Sequence, residues 1–287
     1  MKFINSTQEL LEILSNKKGI IFLLGQTDTG KTTFAKELIK RYLEKNKKVA
    51  FIDSDVGQST IGPPTTIGLK LIKCNEDAHN NNYSNLYFVG STSPRGYFIP
   101  MVIGTYKLSQ IFLKSVYSTI IDTTGLVLGD YGQNLKFYKI NLILPGYLVI
   151  FEKEDELKPY REMFKNNKKI KTFIIKIKSD IKERSYAQRE EYREKKFREY
   201  FKKGKEQILN LGELSSFPPI VEFKSRIQKF NVLGLEDGYN KLLGIGIFLD
   251  FEQNENIKIY TPITNIKKVS FLKLGSIKIT REGKKII

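Results

Sequence analysis

A glycine-rich segment near the start of the chain carries the residue types that hold the phosphates of a nucleotide. Residues 25–32, GQTDTGKT, match the pattern G-x-x-x-x-G-K-[ST] between an apolar run and a segment of helical character. Backbone amides in such a loop point at phosphate oxygens, and the start of the following helix adds a favourable field. The segment therefore predicts a nucleoside triphosphate site made of Gly25, Gln26, Thr27, Asp28, Thr29, Gly30, Lys31, Thr32 and Thr33.

Two side chains of this loop have more specific chemistry. Lys31 is expected to reach the β- and γ-phosphates, and the hydroxyl of Thr32 is expected to bind Mg²⁺. The apolar strand before the loop and the helix after it are the context that this motif requires, so a chance match in a turn is the weaker explanation.

Two acids end the next apolar run, FIDSD. Asp53 and Asp55 are two residues apart, so an extended chain points both to the same side, at the strand end that faces the nucleotide in such folds. One acid can organise the water shell of Mg²⁺, and one that reaches past the γ-phosphate can accept a proton from an attacking hydroxyl. The alternative is that Asp53 only ends the strand and Asp55 caps a turn.

The rest of the composition narrows the choice of proton acceptor and partner. The single histidine, His79, lies in the polar stretch NEDAHNNNYSN, so a carboxylate is the expected general base. The single cysteine, Cys74, excludes an internal disulfide and a multi-cysteine zinc site. A net charge of +17 fits a polyanionic partner, or else a lysine-rich or heat-adapted surface. With no signal-peptide core and no apolar run of membrane-spanning length, we expect a cytoplasmic protein without membrane contact.

Alternating strands and helices must position these side chains. Apolar runs predict strands at 19–25, 48–53, 85–90, 118–122, 146–152 and 171–177, and helices are predicted at 3–16, 31–46, 104–117 and 154–166. This alternation predicts an α/β fold of the P-loop NTPase class, with a doubly wound, mostly parallel sheet. In the first helix the expected buried positions are Phe3, Leu10, Leu11 and Leu14.

The pattern changes in the last third of the chain. Residues 183–203 form a charged helical stretch that we expect to act as a lid, and short apolar runs such as PPIVEF and FNVLGL follow after about Gly212. The expected organisation is an N-terminal helical segment (1–18), a P-loop domain that includes the lid helix (19–205) and a smaller C-terminal β-rich domain (206–287). The sequence leaves the role of the C-terminal domain open.

One stretch carries a family resemblance. DSDVGQSTIGPPTTIGL (53–69), about twenty residues after the P-loop, closely resembles the polynucleotide 5′-hydroxyl-kinase family, in which the Asp-x-Asp-x-Gly-Gln run is specific among P-loop proteins. That family includes the RNA kinase subunit of the pre-mRNA cleavage factor, nucleolar ribosomal-RNA-processing kinases and archaeal RNA/DNA kinases. GSTSPRGYF (90–98) resembles its Thr-Ser-Pro segment, and IIDTTGLV (120–127) takes the place of its Thr-x-Gly-Trp clasp. The resemblance covers 19–205 and, more loosely, the tail.

The resemblance implies a role for each matched position. Asp55 would be the base that deprotonates the 5′-hydroxyl, and Asp53 or Asp122 would support Mg²⁺ through water. The substrate side would include Gln58, Thr92, Ser93, Pro94, Thr123 and Gly125.

Two further positions depend on the resemblance. Leu126 stands where eukaryotic members place a Trp that helps to clamp the P-loop lysine and the terminal nucleotide, and an aliphatic side chain cannot stack comparably. The family lid uses an Arg-x₄-Arg pair, which Arg184 and Arg189 match, so these two are the candidates to close over the γ-phosphate. Composition alone would favour a charged surface helix instead.

These features together predict an ATP- and Mg²⁺-dependent polynucleotide 5′-hydroxyl kinase that acts on 5′-hydroxyl ends of RNA. DNA as acceptor and GTP as donor stay open, and the sequence leaves protein partners unknown. The alternatives are a non-catalytic ATP-binding scaffold in an RNA-processing complex and a nucleotide-hydrolysing switch. A GTP-specific switch is disfavoured, because IKSD (177–180) lacks the leading Asn or Thr of a base-reading motif.

Overall fold

The computed structural model describes residues 1–80, 82–177 and 184–286 of the chain. Residues 178–180 of the IKSD segment and Glu183, the first residue of the expected lid helix, lie outside the described residues. The chain forms two compact units that alternate along the sequence. The first unit consists of Met1–Asp55, Gly68–Ser84 and Pro94–Arg184, and the second consists of Val56–Ile67, Asn85–Ser93 and Ser185–Ile287.

Strands and helices are numbered in chain order. The strands are β1 (Lys2–Ile4), β2 (Gly19–Gly25), β3 (Val49–Ser54), β4 (Thr66–Ile72), β5 (Asn85–Phe88), β6 (Ser118–Thr123), β7 (Tyr147–Glu152), β8 (Lys171–Lys176), β9 (Lys205–Asn210), β10 (Ser215–Phe217), β11 (Asn231–Glu236), β12 (Leu242–Phe251), β13 (Asn256–Thr261), β14 (Phe271–Ile279) and β15 (Lys285–Ile286). The helices are α1 (Thr7–Ser15), α2 (Lys31–Glu44), α3 (Asn75–His79), α4 (Phe98–Ile111), α5 (Gly129–Ile143), α6 (Lys158–Phe164), α7 (Tyr186–Phe201) and α8 (Ile220–Arg226).

The first unit is built on a mostly parallel sheet, as predicted. Within this unit the strand order is β1-β8-β7-β2-β6-β3-β4, and neighbours are parallel except for the antiparallel pair β3 and β4. The central strands are buried along most of their length, which explains the nearly continuous apolar sequences of β2 and β7. Since β3 and β6 are in register with Asp53 opposite Asp122, two acids meet at the carboxyl ends of adjacent strands.

The N-terminal segment differs from the prediction. Residues 2–4 form β1, which pairs with β8, and the helix begins only at Thr7, after Ser6 caps it by accepting a 3.1 Å hydrogen bond from the amide of Glu9. The prediction that Phe3 is a buried helix position is therefore wrong, since this side chain is 59% exposed on the strand. The three leucines predicted to be buried on the helix, at positions 10, 11 and 14, are buried.

Other elements were predicted with errors that have a local cause. Strand β4 was not predicted, because Gly and Pro precede it and Lys70 interrupts its apolar run. Helix α4 begins at Phe98, six residues before its expected start. The PPIVEF segment is not a strand but leads into α8, where Pro219 occupies the N-cap and Phe223 is buried.

The second unit contains an antiparallel sheet, in agreement with the β-rich C-terminal part predicted from sequence. Its strand order is β10-β14-β11-β12-β13-β9, β15 pairs with β14, and only β10 and β14 are parallel neighbours. One face buries Phe197 and Phe201 of α7 together with Phe88 of β5 and residues of β11 and β12. Helix α7 begins with a capping box in which Ser185 and Gln188 exchange hydrogen bonds.

The units interleave along the chain because α7 and β5 pack within the second unit. The continuous divisions 1–18, 19–205 and 206–287 stay a prediction about how the chain is organised into domains. Among the residues that the structure describes, no helix is both long enough and apolar enough to cross a membrane.

Candidate active site

The phosphate-binding loop joins the end of β2 to the start of α2. Gly25 lies so close to β7 that a Cβ atom would stand 2.7 Å from the carbonyl oxygen of Phe151. Gly30 is the N-cap of α2 and has φ +84°, in the left-handed region that favours glycine. The two glycines thus allow a tight loop whose backbone amides gather at a helix N-terminus, the arrangement that binds phosphate.

Lys31 is buried inside this loop. Its Nζ donates to the carbonyl oxygen of Gln26 at 2.5 Å and lies 3.3 Å from Oγ1 of Thr29. Burial lowers the pKa of Lys31, and the charges of Asp122 and Asp55 oppose that shift. The ammonium therefore lies among the carboxylates that sequence analysis selected.

Thr32 connects α2 to the end of β6. Its Oγ1 donates to Oδ2 of Asp122 at 2.5 Å, while Oδ1 of Asp122 accepts a 2.9 Å bond from the amide of Thr123. Burial raises the pKa of Asp122, and the charge of Lys31 opposes the shift. The sequence predicts a metal site that includes both side chains, and the structure brings their oxygens together.

Asp53 and Asp55 lie where β3 ends. Asp53 is buried, and its Oδ1 accepts a 2.9 Å hydrogen bond from the backbone amide of Asp55. Asp55 is half-buried and near enough to Lys31 for its charge to favour the ammonium form. This bond is an Asx turn, and it orients the chain that carries Asp55.

Two buried lysines on α5 complete the polar cluster, and sequence analysis missed both. Lys139 donates to Oγ of Ser54 at 2.6 Å, and Lys136 donates to the carbonyl oxygen of Thr124 at 2.6 Å. Burial lowers the pKa of Lys139 to about 7, with Asp55 and then Asp53 opposing the shift. Burial also lowers the pKa of Lys136, and the neighbouring ammonium groups of Lys139 and Lys31 lower it further.

The sequence did contain a signal for these lysines. On a helix, residues three, four and seven apart share a face. Lys136 stands four and seven residues before the buried Ile140 and Ile143, and Lys139 stands four residues before Ile143, so two charges fall on the buried face of α5. A charged side chain on the buried face of a helix is a candidate functional group when its charge lies near acids at the end of a strand.

The segment after β6 packs directly on the phosphate-binding loop. Thr123 donates through Oγ1 to the carbonyl oxygen of Leu23 on β2 at 2.9 Å. A Cβ atom at Gly125 would stand 2.6 Å from Cα of Thr27, so only glycine fits that contact. Leu126 follows as a half-buried residue.

Arg184 also meets the phosphate-binding loop. Its backbone amide and its Nε donate to the two carboxylate oxygens of Asp28, each at 3.0 Å, and Nη2 lies 3.0 Å from Oδ1. The guanidinium is half-exposed, whereas Asp28 is nearly buried. One of the two predicted lid arginines thus lies beside the site in the first unit.

The remaining predicted residues belong mostly to the second unit. Gln58 donates through Nε2 to the carbonyl oxygen of Arg189 at 3.1 Å, and the hydroxyl of Tyr192 donates to the carbonyl oxygen of Ser59 at 3.0 Å. The second unit thereby ties the loop after Asp55 to α7. Thr92 and Ser93 also belong to this unit, whereas Pro94 belongs to the first.

The first unit therefore gathers a phosphate-binding loop, three buried lysines and three acids. No group of three or more His, Cys, Asp or Glu side chains that could hold a metal ion occurs in the described ranges 1–80, 82–177 and 184–286. A metal here would instead be held by one hydroxyl and one or two carboxylates. That donor set is all oxygen, which suits Mg²⁺, an ion that keeps several waters and takes few protein ligands.

This chain is similar to known proteins over most of its length. A family model described as the P-loop of the mRNA cleavage and polyadenylation factor CLP1 matches residues 25–203. A polyribonucleotide 5′-hydroxyl-kinase of Methanocaldococcus jannaschii is 33% identical over 334 aligned positions, which cover 95% of this chain and 90% of that protein. A protein of the same name from Pyrococcus abyssi is 28% identical, with 94% of this chain and 90% of that protein covered.

A solved structure shares the fold. Clp1p, in its complex with Pcf11p, aligns with a TM-score of 0.71 over 95% of this chain and 78% of that chain. At 15% identity this likeness shows the fold and nothing finer.

Proposed function

The chain belongs to the CLP1 P-loop family, and on that premise we propose that it is an ATP-dependent polynucleotide 5′-hydroxyl kinase that phosphorylates the 5′ end of RNA. The family resemblance predicted from the sequence is confirmed, and relatives that match most of the chain carry the name of this activity. The observation that carries the proposal is the meeting of Lys31 of the P-loop with Asp55 and Asp122 at adjacent strand ends.

The reaction transfers one phosphoryl group. The O5′ oxygen of the RNA attacks the γ-phosphorus of ATP, and the bond from that phosphorus to the bridging oxygen of the β-phosphate breaks as ADP leaves. The hydroxyl proton passes to the carboxylate of Asp55, while Lys31 and the loop amides oppose the charge on the phosphate oxygens. ATP is the proposed donor, and GTP is a second donor to be compared with it.

Mg²⁺ is the proposed metal. Thr32 and Asp122 would hold it directly, and Asp53 would support it through water, because these three oxygen-bearing side chains converge at the ends of β3 and β6. When bound, Mg²⁺ neutralises charge on the β- and γ-phosphates.

Arg184 and Arg189 are the proposed arginines that oppose charge on the γ-phosphate during transfer. The contact of Arg184 with Asp28 supports its part of this proposal. Gln58, Thr92, Ser93, Pro94, Thr123 and Gly125 remain the proposed substrate-side residues. RNA 5′ ends and a nucleoside triphosphate as substrates fit a cytoplasmic location.

A transfer assay tests the proposal. The purified protein is incubated with γ-labelled ATP or GTP and with RNA and DNA oligonucleotides of one sequence that end in a 5′-hydroxyl or a 5′-phosphate. We expect label on the 5′-hydroxyl RNA and none on the 5′-phosphate control. Release of phosphate without any labelled oligonucleotide would favour a nucleotide-hydrolysing switch, and ATP binding without turnover would favour a scaffold.

A further inference from the structure

Lys139 is a charged group that the reaction described above does not use. It lies on α5 with its side chain fully buried, and its Nζ donates to Oγ of Ser54 at 2.6 Å. Ser54 is itself fully buried and is the residue between Asp53 and Asp55. The lysine therefore binds the last residue of β3, which lies between the two acids.

The charges around Lys139 identify the groups that it serves. The carboxylates of Asp55 and Asp53 favour its ammonium form, with Asp55 the stronger of the two. The other ammonium on the same helix, that of Lys136, lies near Asp55 and Asp122 as well and points to the end of β6 through Thr124. Both lysines are thus near Asp55, but their hydrogen bonds differ: Lys139 bonds to the end of β3 and Lys136 to the residue after β6.

Packing does not call for an ammonium at this position. Besides Lys136, the buried neighbours of Lys139 on α5 include the apolar Leu135, Ile140 and Ile143, and a buried ion is generally less stabilising than an apolar side chain of the same size. An ionisable group whose burial costs folding free energy, and which lies beside a candidate active site, is a candidate for a functional role. Its chemical partner here is the segment Asp53–Asp55, whose backbone is already held by the bond from the amide of Asp55 to Asp53.

We propose that Lys139 is a positioning residue for phosphoryl transfer, which holds Asp55 in place through Ser54 and through the field of its ammonium group. This proposal rests on the proposed function, in which Asp55 accepts the proton of the 5′-hydroxyl. The hydrogen bond to Ser54 anchors the residue before Asp55, and the bond between Asp53 and Asp55 anchors Asp55 itself. The hydrogen bond of Lys139 goes to Ser54, so we expect its replacement to affect the position of Asp55 more than the binding of the nucleotide.

The test is a set of matched variants in the full chain. Lys139→Met removes the ammonium and keeps nearly the same volume, Ser54→Ala removes the hydroxyl that receives its hydrogen bond, and the double variant closes a cycle. Lys136→Met removes the other buried ammonium from the same helix and reports the general effect on stability. For each protein we would measure kcat and KM for phosphorylation of a 5′-hydroxyl RNA, the Kd for ATP, and Tm.

Lys139→Met should lower kcat by about 10- to 100-fold, as expected for displacement of a catalytic group by a fraction of an ångström to about 1 Å. The Kd for ATP should stay within about threefold and Tm should not fall, because a buried charge has been replaced by an apolar group. Ser54→Ala should cause a smaller loss of kcat, and the double variant should be no slower than Lys139→Met, because the two residues act through one bond.

Several results would overturn the proposal. They are a kcat within twofold of wild type in Lys139→Met, losses that multiply in the double variant, or a loss of ATP binding equal to the loss of kcat. If Lys139→Met fails to fold, an unchanged kcat in Ser54→Ala overturns it as well. An inactive wild-type protein would instead remove the proposed function, and this inference with it.

Discussion

Arg184 and Asp28 are joined at three points, two hydrogen bonds and an ion-pair contact, all of 3.0 Å, which link the residue before the N-cap of α7 to the middle of the phosphate-binding loop. Asp28 has φ +58°, so the loop presents its carboxylate from a strained backbone position. The arginine that sequence analysis assigned to γ-phosphate charge therefore lies beside the loop that would hold that phosphate.

Replacing Arg184 should show whether its guanidinium contributes to the rate of phosphoryl transfer. Arg184→Ala should lower kcat for RNA phosphorylation by about 100-fold or more, because one donor aimed at transition-state charge is worth that much. Arg184→Lys should recover only part of the rate, since an amine cannot make the forked contact. Arg226→Ala, which breaks an exposed ion pair on α8, is the control and should keep the wild-type rate. An unchanged kcat in Arg184→Ala would remove the residue from the mechanism.

Asp55→Asn should abolish the proton acceptor and preserve the loop. We expect kcat to fall by about 10²- to 10⁴-fold, the usual contribution of a general base, while the Kd for ATP changes little. The measurement is 5′-end labelling of RNA beside nucleotide binding by calorimetry. Asp250→Asn, at an exposed position on β12, controls for the loss of one negative charge. A fully active Asp55→Asn protein would contradict the assignment of the base.

Thr32 should set the requirement for Mg²⁺. Thr32→Ala removes the hydroxyl that donates to Asp122, so the Mg²⁺ concentration that gives half-maximal rate should rise several-fold. Thr32→Ser keeps the hydroxyl and should behave like wild type, and chelation of Mg²⁺ should stop the reaction in all three proteins. The same Mg²⁺ dependence in Thr32→Ala and wild type would show that the metal is held elsewhere.

The parts of the site that could be predicted from sequence are those encoded by local spacing. The P-loop and the acids Asp53 and Asp55 follow from short motifs next to apolar strands. The structure places the loop after β2 and the acids at the end of β3, with β6 between these two strands. Contacts between distant segments were not predicted, because no local pattern encodes them. Lys139 meets Ser54 across 85 positions, and Arg184 meets Asp28 across 156.

The fold shows the same limit. Phe3 was assigned to a helix because a short apolar pattern suits either structure, and only pairing with β8, about 170 residues later, makes the segment a strand. Strand β4 was missed because Lys70 interrupts its apolar run, and the ammonium of this lysine donates to the carbonyl oxygen of Asn80. In both cases tertiary contacts override the local signal.

Gly125 should tolerate no side chain. Gly125→Ala would place a Cβ atom 2.6 Å from Cα of Thr27, so the phosphate-binding loop must shift, at a cost of about 1–3 kcal/mol in unfolding free energy and with weaker ATP binding. Gly146→Ala is the matched control, because its Cβ would find nothing closer than 3.9 Å and its backbone φ lies outside the left-handed region. Thermal unfolding and ATP titration of both variants check this. Equal Tm and equal Kd for ATP in the two variants would show that the loop moves aside without a cost in free energy.

The buried lysines should make the protein more stable at higher pH. The pKa of Lys139 is about 7 in the folded chain against an ordinary value of 10.5, so between these values the unfolded chain binds more protons and unfolding free energy rises with pH. The slope contributed by one such group approaches about 1.4 kcal/mol per pH unit. Lys31 and Lys136, whose pKa values burial also lowers, add to it with the same sign.

Lys139→Met should therefore make the unfolding free energy depend less steeply on pH. It should also stabilise the protein at pH 7 by on the order of 1–4 kcal/mol, because an apolar side chain replaces a buried ion. Urea unfolding of both proteins at pH 7, 8 and 9 measures the difference, which should shrink as the pH rises and the wild-type lysine loses its proton. Lys107→Met, which removes an exposed ammonium from α4, controls for the change in net charge. A wild-type slope that survives intact in Lys139→Met would mean that the ammonium of Lys139 is not the group whose burial opposes folding.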